Sequence, residues 1–263
     1  MNQANDRAAL IKKTIRGNFD RSAEKYSTFE ASSSFFSKLA LNLVSLGALP
    51  ENPRVLDVGC GTGASMAAFG RTLKGKSLIV GMDLSLGMLK AARAALPDAN
   101  LVCLDGCAYG EALKPGFDAV IYNAVLFMLP DAAESLECAR KLLKPGGRVL
   151  AASLEKVTVG GEPVAEILAA EGHQAGRHSL SPSSVVESLL KEKFTGFESR
   201  NLERPLTGSL FMDFYGLEAM SFGLLPKTPY PERLRILEKL DARLKAEGKT
   251  PVQEWVLSTA VRA

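Results

Sequence analysis

The sequence predicts an α/β fold: a mostly parallel sheet with helices on both faces. Two observations carry this. Short β-branched runs alternate with alanine- and leucine-rich stretches from Arg54 onward, as in chains of strand–helix–strand units. The runs also lack polar–apolar alternation, as expected of strands buried on both faces.

In chain order, residues 1–50 form a helical extension, with Leu39, Leu43 and Leu46 at helical spacing and Gly47 and Pro50 ending the pattern. The strands are RVLDV (54–58), SLIVGMD (77–83), NLVCLD (100–105), FDAVIYN (117–123) and RVLAASL (148–154). Between them, GASMAAFGRTL, SLGMLKAARAAL and DAAESLECARKLL are each long enough for a helix crossing back over the sheet. Residues 155–180 hold several glycines and both histidines, which suggests a mobile loop. SPSSVVESLLKEK opens with Ser and Pro, as helices do; FTGFESRNLERPL and EWVLSTAVRA supply later strands. Residues 51–263 thus form one domain, interrupted at about 207–250 by a helical insertion.

Composition narrows the function. The 263 residues are 46% hydrophobic and 23% charged, an ordinary globular balance. A net charge of +3 without a cationic run argues against nucleic acid as partner. No stretch of 18 apolar residues predicts a membrane span, and the polar N-terminus has no apolar leader core. Cys60, Cys103, Cys107 and Cys138 form no CxxC pair, and the only histidines are His173 and His178. A zinc site is therefore not expected, and the scattered thiols suit a reducing cytoplasm.

The strand tips carry the candidate ligand site. VLDVGCGTG places Asp57 and then Gly59, Gly61 and Gly63 between a strand and a helix. Glycine allows a sharp turn and close ligand approach, and the helix start offers free N–H groups. The spacing is GxGxG rather than the dinucleotide GxGxxG; a turn that binds nothing is the plain alternative. Asp83, ending the second strand, suits the two hydroxyls of a ribose, or equally a helix cap near Ser85. Asp105-Gly106 could read an adenine edge or form a simple turn. Asn123 stands where open α/β sheets bind ligands.

Taken in order, VLDVGCGTG, GMDLSLGMLKAAR, LDG, FDAVIYNAVLFML and LLKPGGRVL resemble the motif series of class I S-adenosylmethionine-dependent methyltransferases, over residues 54–154. The resemblance implies a Rossmann-like seven-stranded sheet with EWVLSTAVRA antiparallel, and S-adenosylmethionine as cofactor. It assigns Asp57 and the backbone around Gly59, Cys60, Gly61 and Gly63 to the methionine end of the cofactor. Asp83 takes the ribose, with Leu84 and Met88 near the adenine; Asp105 and Gly106 recognise the adenine, and Asn123 lies under the sulfonium. NFDRSAEKY (18–26) is similar to the FDxxAxxY segment of malonyl-carrier-protein and ubiquinone/menaquinone methyltransferases. That places Phe19 and Tyr26 in a lid over the cofactor, or in an ordinary core face.

The expected activity is methyl transfer to a small-molecule or carrier-bound acyl acceptor, partly apolar, by in-line displacement without a metal. A dinucleotide-binding oxidoreductase and a non-catalytic S-adenosylmethionine-binding protein are the alternatives. No DPPY or NPPY follows Asn123, which counts against amide or adenine methylation. Candidates for a base are His173, His178, Tyr26, Tyr109 and Tyr215. GSLFMDFYGLEAMSFGLLP, rich in Phe211, Met212, Phe214, Tyr215, Met220 and Phe222, reads as a lid over an apolar acceptor, as a helix on the sheet edge, or as a dimer contact. Tyr26, His173, Phe211 and Tyr215 are the candidate acceptor contacts.

Overall fold

The computed structural model describes residues 3–73, 75–176 and 180–263. β1 (Arg54–Val58), β2 (Leu78–Asp83), β3 (Asn100–Cys103), β4 (Phe117–Asn123) and β5 (Leu143–Val159) run parallel, each paired with its spatial neighbour. β6 is the two-residue segment Glu162–Pro163; β7 (Thr195–Pro205) and β8 (Val252–Val261) follow. The order is β3-β2-β1-β4-β5-β8-β7, with β8 antiparallel to both β5 and β7. Seven strands form the continuous path, and the short β6 adds an eighth beside β5. It exists because Gly160 and Gly161 both adopt positive φ, 59° and 90°, the geometry of a tight hairpin turn.

That hairpin corrects the loop expected over 155–180. β5 continues to Val159, turns back, and is followed by a helix, Val164–Ala170. Gly160 and Gly161 make that turn, while Gly172 and Gly176 lie in the irregular stretch that follows the helix. His178 lies outside the described residues.

Chain reversal sets where a ligand can sit. From β1 the chain first builds outward to β2 and β3, then crosses to β4 on the other side. The crevice beyond the carboxyl ends of β1 and β4 is the switch point at which open sheets bind ligands. The sheet edges are short or polar. β3 has four residues, and β7 exposes most of TGFESRNLERP, which discourages edge-to-edge pairing.

The helices are α1 (Gln3–Ser33), α2 (Phe35–Gly47), α3 (Ala64–Thr72), α4 (Leu86–Ala95), α5 (Ala132–Leu142), α6 (Val164–Ala170), α7 (Ser183–Lys193), α8 (Leu210–Tyr215), α9 (Glu218–Leu224) and α10 (Tyr230–Ala246). One apolar cluster joins α1, α2, α8 and α10 to one sheet face; a second joins α5 and α7 to the other. The break between α1 and α2 falls at Ser34 (φ 51°). Both Glu30 carboxylate oxygens accept there, from the N–H groups of Phe36 (2.8 Å) and Ser37 (2.9 Å). A carboxylate at a helix N-terminus satisfies orphan donors and complements the dipole.

The extension straps across the insertion. Arg21 donates two bonds to Glu218 of α9, the shorter at 2.7 Å, and Ala219 N–H donates to Ser22 Oγ at 3.2 Å. Exposed ion pairs add only about 0.2–1 kcal/mol each. The aromatic seam beneath dominates, since a buried Phe is worth about 1.5–3 kcal/mol. Phe29, Phe35, Phe36 and Phe214 meet there, with Phe35 and Phe214 5.1 Å apart.

Candidate active site

The glycine turn after β1 is held from behind. Gly59 and Cys60 N–H both donate to Met82 O, at 2.7 and 2.9 Å, which ties the turn to β2. A side chain at Gly59 would place Cβ 2.5 Å from Val125 Cγ2. Gly61 (φ 54°) is different, because a Cβ there would meet nothing within 4 Å. Gly61 also lines an open cavity above β1 and β4. Its bare backbone is a cradle that a side chain would fill.

Gly63 packs instead against α4, where an added Cβ would come within 2.9 Å of Leu96 Cδ1. Cys60 is buried beside Met66 and Leu89. Of the turn, Gly59 and Gly61 reach the cavity, while the Cys60 side chain and Gly63 serve packing.

Asp83 occupies the cavity wall. Its Oδ2 accepts Gly61 N–H (2.9 Å) and its Oδ1 accepts Ser85 N–H (2.8 Å). Burial raises its pKa, and the backbone donors, Ser85 first, work against that rise. The helix cap is Ser85 itself, whose Oγ accepts Met88 N–H at 3.1 Å. Asp83 is thereby left with spare lone pairs toward the cavity. Leu84 and Met88 line the same wall.

Asp105 and Gly106 follow the tip of β3. Asp105 Oδ1 accepts Cys107 N–H at 2.9 Å, and Oδ2 accepts Lys12 Nζ at 2.7 Å. Burial of Lys12 works against its charge, yet its pKa is raised, because the Asp105 hydrogen bond and nearby negative groups prevail. α1 thus crosses the cavity wall at the tip of β3. Its Asp20 also anchors α4, with Oδ1 accepting Ser85 Oγ–H (2.6 Å) and Gly87 N–H (2.9 Å).

Two acceptors at the site have no protein partner. Asn123 at the tip of β4 donates to Phe36 O (3.0 Å) and Ser65 Oγ (2.8 Å), which leaves its buried Oδ1 unpaired. Asp57 is fully buried beneath the turn, and neither carboxylate oxygen is bonded. Burial, and then the charge of Asp83, pushes its carboxyl up to about 8. Such groups are stabilised by a cation or donor. The residues therefore fit S-adenosylmethionine: an open glycine cradle, a carboxylate for hydroxyls, the orphaned Asn123 Oδ1 on the cavity wall, and the unpaired Asp57 buried beneath the turn, outside the lining.

The rest of the cavity is aromatic. Tyr26, Phe36, Phe127, Phe214 and Trp255 line it. Tyr26 stacks on Phe36 at 4.9 Å and is nearly buried, as the core reading has it, and its side chain also borders the cavity. Burial holds the Tyr26 hydroxyl protonated, its pKa well above the ordinary value.

Several expected contacts lie elsewhere. Phe211 and Tyr215 stand one helical turn apart in the core, 5.1 Å from each other, with Tyr215 OH accepting from Gln253 Nε2 at 3.2 Å. Phe214, between them, lines the cavity in their place. Tyr109 is buried against Tyr122, their hydroxyls 2.6 Å apart. His173 follows α6, outside the cavity lining, with its N–H donating to Leu168 O. The sequence reading missed Lys12, Asp20, Phe36, Phe127 and Trp255. Asp20 lay inside NFDRSAEKY; Lys12 carried no signal at all.

Comparison with known proteins agrees with this geometry. The family profile described as "Methyltransferase domain" matches residues 56–151. The chain is 30% identical over 168 residues to the ubiquinone biosynthesis O-methyltransferase of Paracidovorax citrulli, covering 60% of this chain and 70% of that one. It is 29% identical over 143 residues to the aklanonic acid methyltransferase DauC of Streptomyces sp. (strain C5), covering 52% of this chain and 64% of the relative, just under two thirds of its length. In fold it resembles a Haemonchus contortus phosphoethanolamine N-methyltransferase 2 solved with phosphomonomethylethanolamine and S-adenosylhomocysteine. The TM-score is 0.59 at 18% identity, over 94% of this chain and 60% of that one. On this similarity and on the strand-tip geometry, the chain belongs to the class I S-adenosylmethionine-dependent methyltransferases.

Proposed function

We propose that the protein transfers the methyl group of S-adenosylmethionine to a small-molecule acceptor with an apolar body. The observation that carries this is one continuous cavity. Its β1–β3 side offers Gly61, Asp83 and Asp105, while its β4–β5 side is walled by Phe127, Leu154, Phe214 and Trp255.

The sulfonium supplies an already activated methyl group, so the protein's task is to align and enclose. Asp83 would hold the ribose hydroxyls, Leu84 and Met88 the adenine face, and Asp105 with Gly106 the adenine edge. Asp57 and Asn123 would serve the methionine end with their unpaired oxygens. The aromatic walls would fix the acceptor in line and keep water out, which supplies much of a rate enhancement of this kind. With Tyr26 held protonated, an acceptor that arrives as its anion, or as a neutral nucleophile, suits the site best. Four free thiols are in keeping with a reducing cytoplasm, and no helix among the described residues is long and apolar enough to cross a membrane.

Calorimetry with S-adenosylhomocysteine tests the cofactor assignment. Asp83→Ala should weaken binding by about 30-fold or more, given about 1.5–3 kcal/mol for each hydrogen bond to a charged group. Because Asp83 also accepts the Gly61 and Ser85 N–H groups, the variant should melt several degrees below wild type while staying folded. Unchanged affinity would remove Asp83 from the site. A panel of acceptors, read by S-adenosylhomocysteine formation, tests turnover.

A further inference from the structure

A second cavity, of about 390 Å³, opens beside the first. Five residues line both: Ile15 and Phe19 of α1, Met128, and Ala219 and Gly223 of α9. The two chambers therefore share a wall made of small or apolar side chains. Beyond it the second chamber is bounded by Ile11, Phe222 and Pro226, and among the described residues no charged side chain lines it. Its polar side chains are Thr14 and Asn18, and Asn18 Oδ1 is already engaged by Arg21 (2.8 Å). At the rim, Leu10 and Leu180 are 65% and 52% exposed.

We propose that this chamber takes the apolar tail of a two-part acceptor, whose reactive head lies in the aromatic half of the first cavity. The inference rests on the methyl-transfer reading. Among the described residues the second chamber offers the polar cofactor no counterpart for its charges; an alkyl chain needs none. The five lining residues shared with the reaction cavity favour the acceptor over a docked protein segment, which would gain nothing from that adjacency. The exposed leucines are explained as well: they form a greasy entrance for a chain arriving from an apolar phase.

The test uses the full chain saturated with S-adenosylhomocysteine and titrated calorimetrically with 4-ethylphenol, 4-propylphenol and 4-pentylphenol. Each buried methylene is worth about 0.8 kcal/mol, or roughly fourfold in affinity. Pentyl should therefore bind about 50-fold tighter than ethyl. Trp255, the sole tryptophan, should be quenched by all three rings, placing the head in the aromatic half. Ile11→Asn, which puts an amide into the second chamber alone, should cut the ethyl-to-pentyl gain to about fivefold or less, as its unpaired amide opposes apolar burial. S-adenosylhomocysteine affinity should be retained. Normal S-adenosylhomocysteine binding with a flat alkyl series would overturn the tail chamber alone. A chain-length gain undiminished in Ile11→Asn would assign the tails to some other surface and overturn it too. Failure of S-adenosylhomocysteine to bind would instead overturn the methyl-transfer reading, and the tail chamber with it.

Discussion

Asp57 is the residue whose perturbation is most informative. Its carboxylate is wholly buried and unbonded, and its pKa of about 8 compares with 3.8 in an unfolded chain. The folded state thus holds this proton more tightly than the unfolded one. The stability that the neutral form confers is complete below pH 3.8 and is lost as the pH rises toward 8. At 1.36 kcal/mol per unit, the loss between pH 4 and pH 7 is about 4 kcal/mol. Asp57→Asn carries no such proton. The stability difference between the two proteins should therefore swing by about 4 kcal/mol in favour of the variant across that interval. For a domain of this size that is roughly 8–16 °C of relative melting temperature. Parallel thermal or urea denaturation series from pH 4 to 8 measure it, since the other groups titrate alike in both proteins. Profiles that stay parallel within about 1 kcal/mol would refute the argument, showing Asp57 ionised and solvated in the folded state. S-adenosylhomocysteine should narrow the swing if its ammonium stabilises the carboxylate.

The glycine turn gives a paired prediction. Gly59→Ala drives Cβ to 2.5 Å from Val125 and should cost over about 2 kcal/mol of stability by overpacking and left-handed strain. Gly61→Ala should cost only the left-handed strain of about 1–2 kcal/mol, yet weaken S-adenosylhomocysteine binding at least about tenfold because its methyl enters the cavity; denaturation and calorimetry separate the two. Lys12→Met removes the ion pair across the adenine wall. It should change melting by only about 4 °C or less, given about 1 kcal/mol or less for a part-exposed pair, while speeding S-adenosylhomocysteine release in stopped-flow measurements.

How far the chain could be read in advance follows from the range of the forces involved. β1 and β4 fall at Arg54–Val58 and Phe117–Asn123, as their apolar runs indicate, because a strand buried on both faces writes its burial into consecutive residues. Gly61 and Asp83 were legible for a related reason: each acts within its own strand–turn–helix unit. Tyr215 and Phe214 are adjacent, both aromatic and both buried, so nothing local tells which one meets the cavity. That is decided by Gln253 on β8, which takes the Tyr215 hydroxyl. Lys12 is a lysine on a charged helix until β3 brings Asp105 beneath it.

Cofactor and acceptor specificity are consequently built from different kinds of information. The cofactor wall is made by strand tips whose spacing the sheet imposes. The proposed acceptor wall is made where α1, α9 and the turn at Leu126–Met128 meet, three segments far apart in sequence, of which α1 and α9 are joined by Arg21–Glu218 and by Ser22. A substitution at that junction can alter the shared wall of the two chambers while leaving Asp83 and Gly61 untouched. Acceptor choice can therefore drift among relatives that keep the same glycine turn, and the residues to compare are Ile15, Met128 and Ala219 rather than the strand tips.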